Sequence, residues 1–530
     1  MTAAEGAPAM RAEAHFGDRV IRCFVDRPGS VGAMLAAAAA AHGARDALVD
    51  GDLRLSHAEL ERRAAALAGG LHIRGVRAGD RVAILIQNRW EFVLALLGVI
   101  RAGAIATPIP VRSSAPEIAY ILEDSGAALT ISDRAMETLL PEGAPRVVVG
   151  DAGPDGFEAL LAGPPAPAPV VAEEDAAVIL YTSGTTGAPK GAMLTHLNIV
   201  HSSLTFVHAF SLGPEDRTVV AVPASHVTGL IAGIFSPLAA GGAVVMLERF
   251  EVAAFLTLAA AERMSFTVLV PAMYNLCLLR ADLSDYDLSA WRIGSFGGAP
   301  MPVATIEKLG AALPGLTLMQ AYGATETTSP ATIMPLGLQA DHPASVGAPV
   351  ATADILVMNE AGEEVPVGVS GEIWIGGPMI VSGYWNKKEK TAESFHAGFW
   401  RSGDIGRFDE NGLLYVHDRL KDMINRGGYN IYSVEVENAL SFHPAVAEAA
   451  VVPRPDPVLG EKTHAFVHLS GAAVDEAALR AFCRERLSDY KAPDSFTFMD
   501  EPLPRNANGK VMKHKLREIL AAMGVSDPRP

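Results

Sequence analysis

Residues Tyr181 to Gly191 read YTSGTTGAPKG and directly follow an apolar run, Ala176 to Leu180, with the character of a buried strand. Three glycines, three threonines, a serine and a lysine leave that strand as a loop. Glycines let backbone N–H groups approach an anion closely, hydroxyls add neutral donors, and a lysine adds one compact positive charge. The chemistry this composition suits is phosphate binding. It is not the Walker type of loop, which needs GxxxxGK[ST] opening a helix, because Lys190 follows a proline and precedes a glycine.

Four further segments carry groups that complement such a loop. Gln320-Ala-Tyr-Gly-Ala-Thr-Glu326 sets an aromatic ring, a hydroxyl and a carboxylate within five residues. A ring can stack on a base, a hydroxyl can hold a phosphoryl oxygen, and a carboxylate can hold Mg²⁺. Gly297-Gly-Ala-Pro-Met301 is a close-approach turn after an apolar strand, and Trp400-Arg-Ser-Gly-Asp-Ile-Gly406 puts a carboxylate on a tight turn, suited to ribose hydroxyls. Near the C-terminus, Pro504-Arg-Asn-Ala-Asn-Gly-Lys510 presents a lysine on a turn.

The elements that position these groups must come from a large acidic chain. Its 530 residues carry a formal charge of −17, with 49% apolar and 19% charged side chains, enough for several sizeable cores. The acidic balance speaks against nucleic acid or an anionic membrane as partner, since both need a basic face. Cys23, Cys277 and Cys483 lie too far apart for zinc-ligand or redox spacing and are expected as small buried residues. Met1 to Arg22 mixes charges and lacks the apolar core of a signal peptide. Thr218 to Leu247 contains no Asp, Glu, Lys or Arg and is long enough to span a bilayer. Pro223, Pro237 and Gly241-Gly242 divide it, so a strand, a buried helix and a second strand are expected instead. The expectation is a soluble, cytoplasmic protein without a membrane span.

Along the chain, Met34 to Thr130 alternates Ala/Leu-rich helical patterns with short apolar strands such as Arg81 to Ile86, an α/β rhythm with parallel strands. A proline–alanine run, Gly163 to Pro169, reads as an exposed connector. A second α/β series runs from Ala176 to about Gln320. Beyond Ala344 the texture turns β-rich: Asp354–Met358, Gly371–Ile375 and Leu413–His417 read as strands. After Asp418-Arg-Leu-Lys-Asp422, strands at Val446–Val452 and Lys462–Leu469, a helix over Val474–Ser488 and a strand at Ser495–Met499 make a compact α+β unit. The expected fold is multi-domain α/β: a large N-terminal domain with a small β-rich subdomain over residues 1–418, a hinge at 419–422, and a mobile α+β domain over 423–530.

Taken in this order, YTSGTTGAPKG, YGATE, RSGD, the DRLKD…GGYNIYSVEVE block and the final NGK lysine resemble the adenylate-forming superfamily of acyl-CoA synthetases, luciferases and peptide-synthetase adenylation domains. The resemblance covers roughly Asp46 to Leu516. It implies an AMP-forming carboxylic acid–CoA ligase using ATP, Mg²⁺ and coenzyme A. The acid attacks the α-phosphate of ATP, pyrophosphate leaves, and a thiol then takes the acyl group from the adenylate. By resemblance Thr182, Ser183, Gly184, Thr185, Thr186, Gly187 and Lys190 grip the β- and γ-phosphates. Tyr322 stacks on adenine with Gly298, Ala299 and Pro300 on its other face. Thr325 touches the α-phosphate, Glu326 holds Mg²⁺, and Asp404 with Arg419 holds the ribose. Lys510 is the adenylation lysine, Lys421 the hinge residue, and Gly427 and Gly428 leave room for the pantetheine arm.

His226, in Pro223-Ala-Ser-His-Val-Thr-Gly229, matches the histidine that borders the acid pocket, here with Ser225 where an aromatic is usual. Val227, Thr228, Ala324, Thr328 and Ser329 are the further candidates to line that pocket. Most are small or modestly polar, which favours a medium-chain, branched or aromatic acid over acetate. Ser433 stands where proline is common and is expected as a helix N-cap. Asn506 and Asn508 replace usual Ser/Thr positions. The acceptor stays open between coenzyme A and a carrier protein, and the oligomeric state between monomer and homodimer. Every catalytic position of the family is filled, which speaks against a silent nucleotide-binding scaffold.

Overall fold

In the computed structural model, residues 8–182, 189–299, 301–471, 473–505 and 511–524 are described. The strands expected as two successive α/β series assort differently in space. A six-stranded sheet runs in the order Lys190–Thr195, Ala176–Thr182, Ile105–Pro108, Arg81–Leu85, Ala127–Asp133, Arg146–Val149. All its pairs are parallel except the first, so the glycine- and threonine-rich loop joins two antiparallel strands. The nine-stranded sheet is built mainly from the later segment, between Arg217 and Pro349, yet Asp46–Asp50 and Leu53–Ser56 form its far edge. Asp46–Asp50 joins it parallel to Ala243–Met246. Sequential neighbours thus end in different sheets, because runs apolar on both faces fit any buried parallel position.

Local signals set the helices that cover these sheets. Ser56 caps His57–Ile73 by accepting from Glu59 N–H at 3.2 Å. Ser114 and Glu117 form a reciprocal capping box on Ala115–Ser125, which Gly126 ends in the left-handed conformation, φ 61°. The helices His57–Ile73 and Trp90–Arg101 touch where Gly98 meets Leu67. A Cβ on Gly98 would lie 2.4 Å from Leu67 Cδ2, so this crossing needs glycine. The proline–alanine connector is mostly exposed as expected, but Ala166 is buried and donates its N–H to Ala65 O at 2.9 Å.

The charge-free stretch Thr218 to Leu247 folds into the core, as Arg217–Val220, a buried helical turn and Ala243–Met246. That turn is a π-helix over Gly229–Phe235, continued by Ser236–Ala239. Among the described residues no helix is long and apolar enough to cross a membrane.

The β-rich part is a five-stranded antiparallel sheet of Asp354–Met358, Gly371–Gly376, Phe399–Phe408, Phe395–His396 and Leu414–Arg419. Another five-stranded sheet follows, with Gly460–Leu469 between Val446–Asp456 and the parallel strand Ser495–Met499. Ile424, Val436, Leu440, Val451, Val467, Leu479 and Cys483 form its own apolar core. The helix expected over Val474–Ser488 is shorter, Glu476–Arg484, because Asp475 caps it by accepting from Ala478 N–H at 2.8 Å. Ser433 is not the N-cap expected. Tyr432 takes that place and Ser433 begins the helix, its N–H donating to the Asp418 carboxylate and its hydroxyl accepting from Lys513 Nζ at 2.6 Å. All three cysteines are buried, and burial pushes the Cys23 and Cys277 thiols up to about 12.

The region before Val31 holds an antiparallel hairpin, Met10–His15 with Arg19–Phe24, that no sequence motif announced. Arg27 anchors it with a forked bond to Glu13 at 2.6 and 3.0 Å and another to Glu173 at 2.8 and 2.9 Å. From its second strand, Arg19 reaches across to donate to Val381 O at 3.1 Å.

Candidate active site

The candidate groups gather where Thr317–Ala324 leaves the nine-stranded sheet. A single 3₁₀ turn, Thr325–Thr327, follows and the chain reverses into Ser329–Ile333. Thr327 Oγ1 accepts from Ala324 N–H at 2.9 Å and donates to Ser329 O at 2.5 Å, closing the reversal. Thr328 and Ser329 both take left-handed backbone, φ 48° and 81°, a strained pair for residues with a Cβ. Gly323 allows the approach, since a Cβ there would lie 2.0 Å from Ser329 O. Thr328 is fully buried and its hydroxyl has no partner among the described residues.

At one end of this segment Tyr322 donates its hydroxyl to Asp404 Oδ2 at 2.6 Å, and Arg419 Nε meets Asp404 Oδ1 at 3.0 Å. Asp404 lies not on the tight turn expected from the sequence but within strand Phe399–Phe408, next to Gly403 at φ +67°, and its N–H donates to Ser402 Oγ at 3.0 Å. Burial, followed by the Asp404 carboxylate, pushes the Tyr322 phenol well above its usual range. Asp404 in turn raises Arg419, so this guanidinium stays charged. Three residues far apart in sequence thereby form one hydrogen-bonding edge beside an aromatic face.

At the other end lies Glu326, buried, with Oε1 accepting from Tyr384 at 2.8 Å. Among the described residues Oε2 carries no hydrogen bond. A carboxylate with one oxygen braced and one available is a hard-oxygen donor of the kind Mg²⁺ takes, so the residue fits that ion. Lys190 Nζ stands 4.4 Å from the centre of the same Tyr384 ring. Sequence reasoning missed Tyr384; the only signal was an aromatic pair after glycine in Ser382-Gly-Tyr-Trp385, with no charged group to mark it. Thr182 directs its hydroxyl to Lys190 O at 3.4 Å. Ser183, Gly184, Thr185, Thr186, Gly187, Pro300 and Lys510 lie outside the described residues.

On the acid side, the loop before His226 is held by Asn88, also missed. Its amide donates to Val220 O and Val222 O at 3.3 and 2.8 Å, and its carbonyl accepts from Ala224 N–H at 2.8 Å. His226 Nδ1 accepts from Thr228 N–H at 3.4 Å. The π-helix begins directly after, a feature often found beside functional sites. Val227 is buried in the main apolar core, whereas Thr228, Ala324, Thr325 and Ser329 are partly exposed. Gly298 takes φ +78° at the end of Ile293–Gly297, with exposed Ala299 beyond.

Further along, burial pushes Lys421 down to about 8. The neighbouring Asp422 carboxylate pairs with the Arg517 guanidinium, and Lys513 Nζ meets Glu437 Oε1 at 2.6 Å. Gly427 and Gly428, φ +59° and +91°, form the exposed two-residue turn between Ile424–Arg426 and Tyr429–Ile431. Such a turn favours glycine at both places on backbone grounds alone.

Residues 35–385 match the AMP-binding enzyme family, and residues 435–510 match the AMP-binding enzyme C-terminal domain. A feruloyl-CoA synthase of Amycolatopsis sp is 37% identical over 469 residues, 88% of this chain and 94% of that protein. The solved o-succinylbenzoate CoA synthetase of Bacillus subtilis, in complex with its acyl-adenylate intermediate, superposes with a TM-score of 0.83 at 31% identity, covering 91% of this chain and 97% of that one. The same enzyme in complex with ATP and magnesium superposes at 0.82 with 31% identity, covering 91% and 98%.

Proposed function

This chain belongs to the AMP-binding enzyme family and is an AMP-forming acid–CoA ligase, and we propose that it activates a bulky, aromatic or branched acid at the end of strand Thr317–Ala324. What supports the site is the pairing of two clusters within one short segment. Tyr322 with Asp404 and Arg419 forms the nucleoside end, and Glu326 with Tyr384 and Lys190 the phosphate end.

In this reading Tyr322 stacks on adenine, Asp404 and Arg419 hold the ribose hydroxyls, and Lys190 with the 182–187 loop grips the β- and γ-phosphates. Glu326 holds Mg²⁺, which when bound neutralises phosphate charge and orients the triphosphate. A carboxylate oxygen of the acid attacks the α-phosphorus, an acyl–O–P bond forms, and the bond to pyrophosphate breaks. Thr325 and Lys510 donate to the α-phosphate oxygens and offset the charge that develops there. Residues 423–530 then turn about 419–422, withdrawing Lys510 and bringing Gly427 and Gly428 to the acyl-adenylate. The sulfur of coenzyme A attacks the acyl carbon, and AMP leaves with the electron pair of its bond to carbon.

In this reading His226 and Thr228, with Gly298, Ala324 and Ser329, border the acid, and their mostly small side chains favour a ring or branch. Acid-dependent exchange of labelled pyrophosphate into ATP, over acetate, medium-chain, branched and aromatic acids, tests this. Turnover is expected to be highest with the ring-bearing or branched acids, and fastest exchange with acetate would overturn the assignment. Following the adenylate with coenzyme A and, separately, with a carrier protein confirms the acceptor.

A further inference from the structure

Tyr384 touches both partners of the phosphate end and belongs to neither motif. Its hydroxyl donates to Glu326 Oε1 at 2.8 Å while Lys190 Nζ stands 4.4 Å from its ring centre. The segment carrying it is stitched to the strand that begins at Lys190. Met193 N–H donates to Gly383 O at 3.0 Å, and Trp385 N–H to Gly191 O at 2.7 Å. On the other side Val381 N–H donates to Glu326 O at 3.0 Å, and Thr391 Oγ1 accepts from Tyr384 N–H at 3.0 Å. Gly383 and Trp385 are thus tied to the lysine strand and Val381 to the turn bearing the carboxylate, while Tyr384 N–H is held by Thr391.

We propose that Tyr384 is the positioning residue that couples the two charges closing on the triphosphate. Its ring face seats the Lys190 ammonium, and its hydroxyl holds Glu326 Oε1, leaving Oε2 as the oxygen that would serve a metal ion. A cation held over an aromatic face keeps its donors directed outward, and a phenol on one carboxylate oxygen removes the rotational freedom of the other. Among the described residues, Lys190 and Glu326 carry opposite charges but form no ion pair; each is engaged by Tyr384 instead, one at the ring face and one at the hydroxyl. The inference rests on the reading of Glu326 as the metal ligand.

The test compares Tyr384→Phe, Tyr384→Leu, Glu326→Gln and the double variant Tyr384→Phe/Glu326→Gln. ATP binding is followed by calorimetry, without acid, over a range of Mg²⁺ and in EDTA, alongside pyrophosphate exchange. Phe fills the volume of the Tyr ring, so the fold is retained. Tyr384→Phe should raise the Mg²⁺ needed for half-maximal ATP binding about tenfold, leave binding in EDTA unchanged, and leave the KM for the acid unchanged. Tyr384→Leu, which also removes the cation's seat, should weaken binding in EDTA about three- to fivefold. On the Glu326→Gln background Tyr384→Phe should add less than about twofold, because its effect passes through that carboxylate. An unchanged Mg²⁺ dependence in Tyr384→Phe, or a full additive loss in the double variant, overturns the inference. An unchanged Mg²⁺ dependence in Glu326→Gln overturns instead the metal reading it rests on.

Discussion

Neighbouring residues at the end of strand Leu414–Arg419 serve two different clusters, because successive side chains leave a strand on opposite faces. Arg419 meets Asp404 and, through it, Tyr322. Asp418 accepts from Ser433 N–H, beside Lys513, Glu437, Asp422 and Arg517. In the first cluster the two charged partners lie on adjacent strands of one sheet, with Asp404 and Arg419 in register. In the second, partners come from one sheet's last strand and from helices of the next unit, Ser433–Ser441 and Lys513–Ala522. Burial raises Asp418 and lowers Lys421, so charge there is held against its desolvation cost. The first cluster is thus held within one sheet, and the second is shared between two units, at the place where the proposed function puts its turn.

The sharpest break of this comparison is Lys510→Ala, which removes the group that, in the proposed function, the turning unit delivers. Adenylation should fall by about two to three decades, while thioester formation from supplied acyl-adenylate is kept. Single-turnover assays of the two half-reactions separate these outcomes. Asp404→Ala attacks the fixed cluster, leaving Arg419 without its paired carboxylate and removing the acceptors that the proposed function gives the ribose. The KM for ATP should rise about tenfold to a hundredfold in pyrophosphate exchange, with the acid's KM unchanged.

The shared cluster has a pH signature. Folded Lys421 titrates near 8 against a usual value of 10.5, so between those limits the unfolded chain binds more protons. Stability therefore rises with pH through that window, on the order of 1 kcal/mol in urea melts after allowing for partial solvent screening. Lys421→Met should flatten the rise, and a rise that persists would assign it elsewhere. The smallest effect is expected from Arg19→Ala, which frees Val381 O at the rim of the fixed site. Stability should drop by about 1 kcal/mol and the KM for ATP should move less than about threefold.

Much of the local structure was legible in the residues. Strands at Asp354–Met358 and Ser495–Met499 have the expected limits, since the first is a short apolar run ended by Asn359 and the second alternates apolar residues between Asp494 and Asp500. The groups at Tyr322, Glu326, Asp404 and Arg419 were named from short motifs, and the fold brings each into one of the two clusters of the site. Tyr384 and Asn88 escaped because each works through neutral hydrogen bonds to distant backbone or side chains, for which no spacing rule exists. The N-terminal hairpin escaped because its sequence mixes charged and apolar residues, and its anchors, Arg27 to Glu173 and Arg19 to Val381, span long stretches of chain.

The amino-acid order settled most strand and helix segments and which side chains could meet a nucleotide, because turns, caps and apolar periods act over a few residues. The tertiary structure alone decided that Asp46–Asp50 crosses to the second sheet, that Ser433 yields its cap to Tyr432, and that one tyrosine contacts both Lys190 and Glu326. Each depends on which buried donor or strand edge comes within about 3 Å of which acceptor, and folding sets those pairings across tens to hundreds of residues.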